Sequence, residues 1–287
     1  MNNDPSKVRN ELEGLRTAVN AELERLLPAG GSRLFEAMRY AVLGGGKRFR
    51  PLVLLASGEA FGADRALLLP YACAVELIHN YSLVHDDLPA MDNDDVRRGR
   101  PSCHKAFGEG LALLAGDGLL SLAFEVLAGA PHPRRRPGAK NAALREIASA
   151  AGVRGMIEGQ WLDISLEPGA TEAAVFLDMV NKKTGALIRA SAMSGALLAG
   201  APAGGAAAAL DYGTALGLAF QLRDDLADAG RSGSPSGIDA VSVFGREGAR
   251  GCLDDCLAEA LAALDRGGVA SAKLRLLAES LAPGEGA

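Results

Sequence analysis

Apolar residues recur along most of the chain at intervals of three and four, the spacing that turns one face of an α-helix toward a core. Leu12, Leu15, Val19, Leu23 and Leu26 form one stripe of a first helix, capped at Ser6 and ended by Pro28-Ala29-Gly30-Gly31-Ser32. A second helix runs to Leu43, Gly44-Gly45-Gly46 breaks it, and Pro51 suits the first turn of a third. A longer pattern begins between Asp64 and Pro70, sets Tyr71, Val75, Ile78 and Ser82 along one face, and ends at His85-Asp86-Asp87. Helical patterns resume over 141–166, 173–198 and 203–229; 247–264 and 270–281 close the chain, with 232–236 a loop and 283–287 a fraying tail.

Composition sharpens this into a fold class. With 48% hydrophobic and only 5% aromatic residues, helix formers outweigh strand formers, which predicts an all-α bundle. No Pro/Ser-rich linker divides residues 1–287, so one domain is expected. A net charge of -5 argues against a nucleic-acid surface. The opening Met1 to Lys7 has no signal-peptide core, and apolar stretches such as Gly110 to Ala115 and Ala186 to Gly200 are short or interrupted; a cytoplasmic protein without a membrane span is expected. Cys73, Cys103, Cys252 and Cys256 lack metal-type spacing and read as reduced thiols.

Against this apolar background stand two acid-rich segments, Asp86-Asp87-Leu88-Pro89-Ala90-Met91-Asp92 and Asp224-Asp225-Leu226-Ala227-Asp228. Crowded carboxylates beside apolar helices must hold protons or bind cations, and hard divalent ions suit oxygen ligands. In unbroken helix Asp86 and Asp92 would lie about 240° apart, so a shared ion requires Pro89 to break the helix and fold the loop back. Arg97-Arg98-Gly99-Arg100-Pro101 reverses the charge; such a run suits a solvated face or phosphate oxygens. The same two readings apply to Lys47-Arg48-Phe49-Arg50 at a helix entrance, whereas Arg134-Arg135-Arg136 reads as an exposed connection. Gln221, Asp224 and Asp228 share a polar stripe on a helix that is otherwise apolar nearly all round.

Gly45-Gly46-Lys47-Arg48-Phe49-Arg50-Pro51, the segment from Asp86 to Arg98, Gly159-Gln160-Trp161-Leu162-Asp163, Lys183-Thr184-Gly185-Ala186-Leu187 and Phe220-Gln221-Leu222-Arg223-Asp224-Asp225 together resemble the trans-polyprenyl diphosphate synthases in order and spacing. The resemblance implies helices around a deep apolar cavity, three Mg²⁺ ions between the acidic motifs, and head-to-tail condensation of an allylic diphosphate with isopentenyl diphosphate. It implies Asp86, Asp87, Asp92, Asp224, Asp225 and Asp228 as metal ligands and Arg97 on the allylic diphosphate. Lys47, Arg50, His79 and Arg98 would grip isopentenyl diphosphate, while Lys183, Thr184 and Gln221 complete the allylic site. A histidine such as His79, close before an acid pair, also suits a structural hydrogen bond. A homodimer is implied as well.

Tyr81, five residues before Asp86 and followed by Ser82, stands about 7.5 Å along a helix from the acid. In the family, bulk there stops chain growth, and with the spacing of the first motif this resembles bacterial farnesyl diphosphate synthases; Tyr81 also suits plain packing between helices. One departure stands out. The family carries Gly-Lys-x-Thr after the second motif, where this chain has a shortened Ser236-Gly237-Ile238-Asp239-Ala240-Val241-Ser242 without the lysine. An incomplete lid is expected, with slower ionisation or weaker allylic binding. Alternatives are a geranylgeranyl diphosphate synthase, a class I terpene cyclase, and a noncatalytic subunit; the isopentenyl grip argues against the cyclase and the intact acids against the inert subunit.

Overall fold

The computed structural model describes residues 4–27, 29–133, 136–166, 171–229 and 238–282. Pro28, Arg134, Arg135, the loop over 232–236, Gly237 and the tail over 283–287 lie outside the described residues. Helices α1 (Pro5–Leu26), α2 (Arg33–Leu43), α3 (Phe49–Ala60) and α4 (Arg65–Asp86) follow the sequence pattern closely. One cap differs from expectation: Asp4, not Ser6, caps α1, because its carboxylate accepts from the Ser6 N–H and Pro5 fills the first helical position.

The core is built around α4. Every residue from Tyr71 to Ile78 is buried, so this helix is covered on all sides and not only along a stripe. Asp64 caps its start and its last helical residue is Asp86. α3 is buried from Phe49 to Gly58 and packs on α4.

Two expected helices are divided. The pattern over 141–166 becomes α7 (Gly138–Ala151) and α8 (Met156–Ser165), since a side chain at Gly155 would lie 2.2 Å from the Ala150 carbonyl oxygen where the chain turns. The pattern over 173–198 becomes α9 (Ala173–Val180), a π-helical turn at Asn181–Gly185, and α10 (Ala186–Ala199). α11 (Ala203–Asp228) packs along α10 and the π turn, where bare glycines let the backbones approach: a Cβ on Gly217 would sit 2.6 Å from the Gly185 Cα in that turn. The chain closes with α12 (Ala240–Arg266), bent at Gly245 where φ is 68°, and α13 (Ala272–Glu279), which packs on α1 and α3.

Between these helices, β1 (Val96–Arg97) and β2 (Arg100–Pro101) form a hairpin that the helical periodicity does not announce. Arg98 and Gly99 make its turn with φ of 54° and 73°. α5 (Cys103–Phe107) and α6 (Glu109–Gly129) follow. By length and hydropathy α4 and α6 could each cross a membrane, so Gly110 to Ala115 belongs to a longer apolar helix than expected, whereas α10, over Ala186–Ala199, does not meet that length; α4 is 67% buried inside the bundle over its most apolar stretch, α6 only 33%. All four cysteines are free thiols.

Close helix contact has a measurable signature. A Cβ on Gly195 would lie 2.4 Å from the Leu54 carbonyl oxygen and 2.8 Å from the Gly58 nitrogen, backbone atoms that cannot turn aside. Gly195→Ala is expected to cost about 1–3 kcal/mol by forcing α10 off α3, read from the midpoint of urea unfolding.

Candidate functional site

The first acidic motif is assembled as the sequence requires. α4 stops at Asp86, and the Asp92 N–H returns to donate to the Asp86 carbonyl oxygen at 2.9 Å, closing the loop that brings both aspartates to one end of the helix. Burial pushes the Asp86 carboxyl up to about 7; Lys183 opposes the rise, and Asp92 adds to it. Asp92 is raised too, by lost hydration first, with Asp163 and Asp94 repelling it against the pull of Lys183.

Asp87 has a separate occupation. It is 2% exposed, and Arg97 grips it through Nε at 2.9 Å and again through Nη2, which also donates to Asp94 at 3.0 Å. The hairpin therefore hangs its first arginine on the aspartate that caps α4.

Lys183 and Thr184 lie in the π turn, whose wide winding is a device found often at functional sites. Lys183 Nζ donates to Asp163 on α8 at 2.5 Å. Burial works against its charge, but Asp163, Asp86 and Asp92 more than offset that, and its pKa is raised. α8 comes this close because residue 159 is glycine: a Cβ there would sit 2.1 Å from the Lys183 backbone nitrogen. Thr184 Oγ1 donates to Gln221 Oε1 at 2.8 Å, and Gln221 Nε2 donates to Asp225 Oδ1 at 2.7 Å. Lys183 and Thr184 thus stand between the first acidic motif and the second.

In that second motif, Asp225 also accepts from the Ala240 N–H at 2.9 Å, tying α11 to the first turn of α12. Burial raises its carboxyl to about 6 despite these two hydrogen bonds, and Asp239 and Asp224 add repulsion. Asp224 accepts from Arg223 at 3.0 Å, and Asp228 lies exposed at the last helical position. Ile238, near the position of the absent lysine, is 9% exposed and packs in the core.

A basic cluster occupies the other side of the helix end. Arg50 is 7% exposed, stands over the Phe220 ring at 5.6 Å, and its buried Nε has no partner. Burial pulls its pKa down to about 10, against the attraction of Glu76 and Asp224. His79 falls well below its ordinary value through burial and then through Arg50 and Arg98, so its imidazole is neutral at pH 7. Lys47 is exposed on the turn before α3. Arg48, between these cations, is instead structural: it is 3% exposed and pairs with Glu76 at 2.7 Å.

Tyr81 is buried with its hydroxyl 3.5 Å from the Ala151 carbonyl oxygen at the end of α7, and Ser82 turns its hydroxyl back to the His79 carbonyl at 3.0 Å. Asp163, which positions Lys183, received no role from the sequence although it closes the quoted Gly159-to-Asp163 motif. An acid inside an apolar helical run was the available signal. Among the described residues no three carboxylate, histidine or cysteine groups already converge as a metal cage. The crowded, proton-holding Asp86 and its neighbour Asp92 nonetheless supply hard oxygen donors of the kind Mg²⁺ takes.

Residues 32–238 match the family model for polyprenyl synthetases. The farnesyl diphosphate synthase of Geobacillus stearothermophilus is 44% identical over 222 residues, 77% of this chain and 74% of that protein. That of Escherichia coli strain K12 is 45% identical over 222 residues, 76% of this chain and 74% of that protein. The crystal structure of an FPP/GFPP synthase from Zymomonas mobilis superposes with a TM-score of 0.88 at 34% identity, covering 97% of this chain and 100% of that one. The chain belongs to the polyprenyl synthetase family, and its all-α architecture is that of the isoprenoid synthases.

The raised carboxyls make the metal-free protein sensitive to pH in a definite direction. Asp86 keeps its proton in the fold up to about 7, while the unfolded chain releases it near 3.8, so its contribution is complete below about 4 and is lost as the pH climbs to about 7. Asp225 adds the same trend up to about 6. In EDTA, the melting temperature is expected to fall on the order of 5 °C between about pH 5 and pH 8, and Asp86→Asn to flatten that slope, both read by scanning calorimetry.

Proposed function

We propose that this chain is a trans-prenyltransferase that condenses isopentenyl diphosphate head-to-tail with dimethylallyl and geranyl diphosphate, giving (E,E)-farnesyl diphosphate. The observation that carries this reading is the pairing of a carboxylate side with a cation side at one end of α4. Asp86 and Asp92 sit across Lys183 and Thr184 from the second motif, while Arg50, His79 and Arg98 gather on the cation side with a buried arginine N–H still open, and Lys47 is exposed on the turn before α3. Family membership and the farnesyl diphosphate synthase relatives support the same activity.

Mg²⁺ ions, about three by family likeness, would be held by Asp86 and Asp92 on one side and by Asp224 and Asp228 on the other, and would take up the charge of the departing diphosphate. Asp87 and Asp225 enter as supports, since Arg97 occupies the first and Gln221 with the Ala240 N–H the second. Lys183 lies within reach of the field of Asp86 and Asp92 and is poised to follow the diphosphate as charge builds on it. Arg97, oriented by Asp87, would clasp the same leaving group, and Thr184 and Gln221 would face the ionising carbon.

Lys47, Arg50 and Arg98 would hold isopentenyl diphosphate, and the neutral His79 ring is free to donate one N–H to it without adding another buried charge. The apolar cavity that family likeness implies would bury the reacting carbons and leave the allylic cation no water to capture. The departed diphosphate is the base at hand for the final proton. Tyr81, fixed between α4 and the end of α7, would close the chain path after the fifteen-carbon product. A buried isoleucine beside the place of the family's lysine fits a lid with one positive charge fewer, hence weaker allylic binding.

The whole of 1–287 serves as one polyprenyl synthetase domain in this reading. The largely uncovered apolar helix α6, with Leu113 and Leu114 exposed, supports a homodimer, and free thiols suit the cytoplasm.

Purified protein with Mg²⁺, isopentenyl diphosphate and each of dimethylallyl, geranyl and farnesyl diphosphate should elongate the first two and stop at farnesyl diphosphate, as read by chromatography of the dephosphorylated products. Elongation of no primer would refute the function. Tyr81→Ala should shift product toward twenty carbons and beyond, and Asp92→Ala should lower turnover by about 10²-fold or more. Leu114→Glu should move the chain from dimer to monomer in light scattering.

A further inference from the structure

Among the described residues two carboxylates are nearly sealed from solvent, Asp87 at 2% and Glu76 at 1% exposure. Asp87 serves Arg97. Glu76, in the middle of α4, has no part in the reaction as described, yet a charge so deep is maintained only where partners compensate it.

Its partners lead to the isopentenyl side of the site. Glu76 Oε1 accepts from Arg48 Nη1 at 2.7 Å, while the same guanidinium donates to the Val42 carbonyl at 2.8 Å and to Asn20 Oδ1 at 2.8 Å. Arg48 has φ of 53°, a left-handed backbone that a non-glycine residue keeps only where its surroundings hold it. One turn along α4, Asn80 Nδ2 donates to the Glu76 carbonyl at 2.8 Å and to Oε1 at 3.3 Å. That turns the amide oxygen outward, where it accepts from Arg98 Nη1 at 3.3 Å; the same nitrogen donates to the Gly45 carbonyl at 2.6 Å. Gly46 lies between the two arginines, with a Cβ there 3.1 Å from Arg98 Cζ and 3.3 Å from Arg48 Nη1. Two like charges are thus brought together around one turn, and Glu76 is the anion beneath them.

We propose that Glu76 and Asn80 are positioning residues for isopentenyl diphosphate: Glu76 pins the turn before α3 through Arg48, and the Asn80 amide, oriented by Glu76, holds the Arg98 guanidinium against that turn. Both act through other residues. Every nitrogen of the Arg48 guanidinium already donates inside the fold, whereas Arg98 keeps its second terminal nitrogen for phosphate oxygens. The inference rests on the proposed function for the identity of the ligand.

Titration calorimetry of the full-length protein with isopentenyl diphosphate, and separately with geranyl diphosphate and Mg²⁺, tests it. Asn80→Ala removes no charge and leaves the Arg48–Glu76 pair whole; it should weaken isopentenyl diphosphate binding about tenfold and geranyl diphosphate binding less than about twofold. Glu76→Gln should weaken the former at least as much. Unchanged isopentenyl diphosphate affinity in a folded Asn80→Ala protein, or equal loss toward both ligands, overturns the proposal; should Glu76→Gln fail to fold, Asn80→Ala decides alone. Wild-type protein that binds isopentenyl diphosphate but elongates no primer refutes the proposed function and leaves the positioning role to the same comparison. Wild-type protein that does not bind isopentenyl diphosphate overturns both.

Discussion

One ammonium group, that of Lys183, stands among carboxylates from three segments: Asp163 on α8, Asp86 at the end of α4, and Asp92 on the loop behind it. Remove that charge and the acids repel one another across a partly buried space. Its position depends on backbone as much as on charge. The π turn sets Lys183 and Thr184 side by side, and the bare Gly159 lets α8 lie directly on that turn. Through Thr184 and Gln221 the same turn reaches Asp225, so both acidic motifs are referred to one short stretch of chain.

On the opposite flank the charge problem is reversed. Burial first, and then the neighbouring guanidinium groups, lowers the proton affinity of Arg50, Arg98 and His79, a state an arriving anion would relieve. The protein keeps this flank cationic by giving the one deep anion there, Glu76, to Arg48 and leaving Arg50 with an open N–H. Both flanks are therefore held in electrostatically unfavourable states of opposite sign, which agrees with the proposed ligands, a metal cation and a diphosphate.

Much of this was legible in the sequence because it depends on local rules. Periodicity located α4, Pro89 and Leu88 required the break after Asp86, and Pro51 marked the start of α3. What the sequence did not reveal was tertiary. Nothing in Asp225 or Asp87 alone says that their oxygens are occupied, the first by the Ala240 N–H and the second by Arg97. The division of 141–166 into α7 and α8 followed from a backbone approach at Gly155, and the hairpin from left-handed φ values at Arg98 and Gly99, neither of which leaves a periodic trace. Arg48 looked equivalent to Lys47 and Arg50 in a basic run, and only its partners mark it as the brace: Arg48 is paired with Glu76, whereas the likewise buried Arg50 keeps an open N–H.

Along α4 the chain sets Glu76, His79, Asn80, Tyr81 and Asp86, with Asp87 as its cap, within about three turns of one helix whose middle is buried on all sides. In the proposed reaction the helix is a common datum: the grip for one reactant, the stop for the growing tail and the anchor for the leaving group would all be measured from the same edge. Errors in placement do not accumulate across separate loops. Displacing the helix would carry all three together and preserve their spacing, so in the proposed reaction exchange of a single side chain would change selectivity without loss of alignment at the reacting centre.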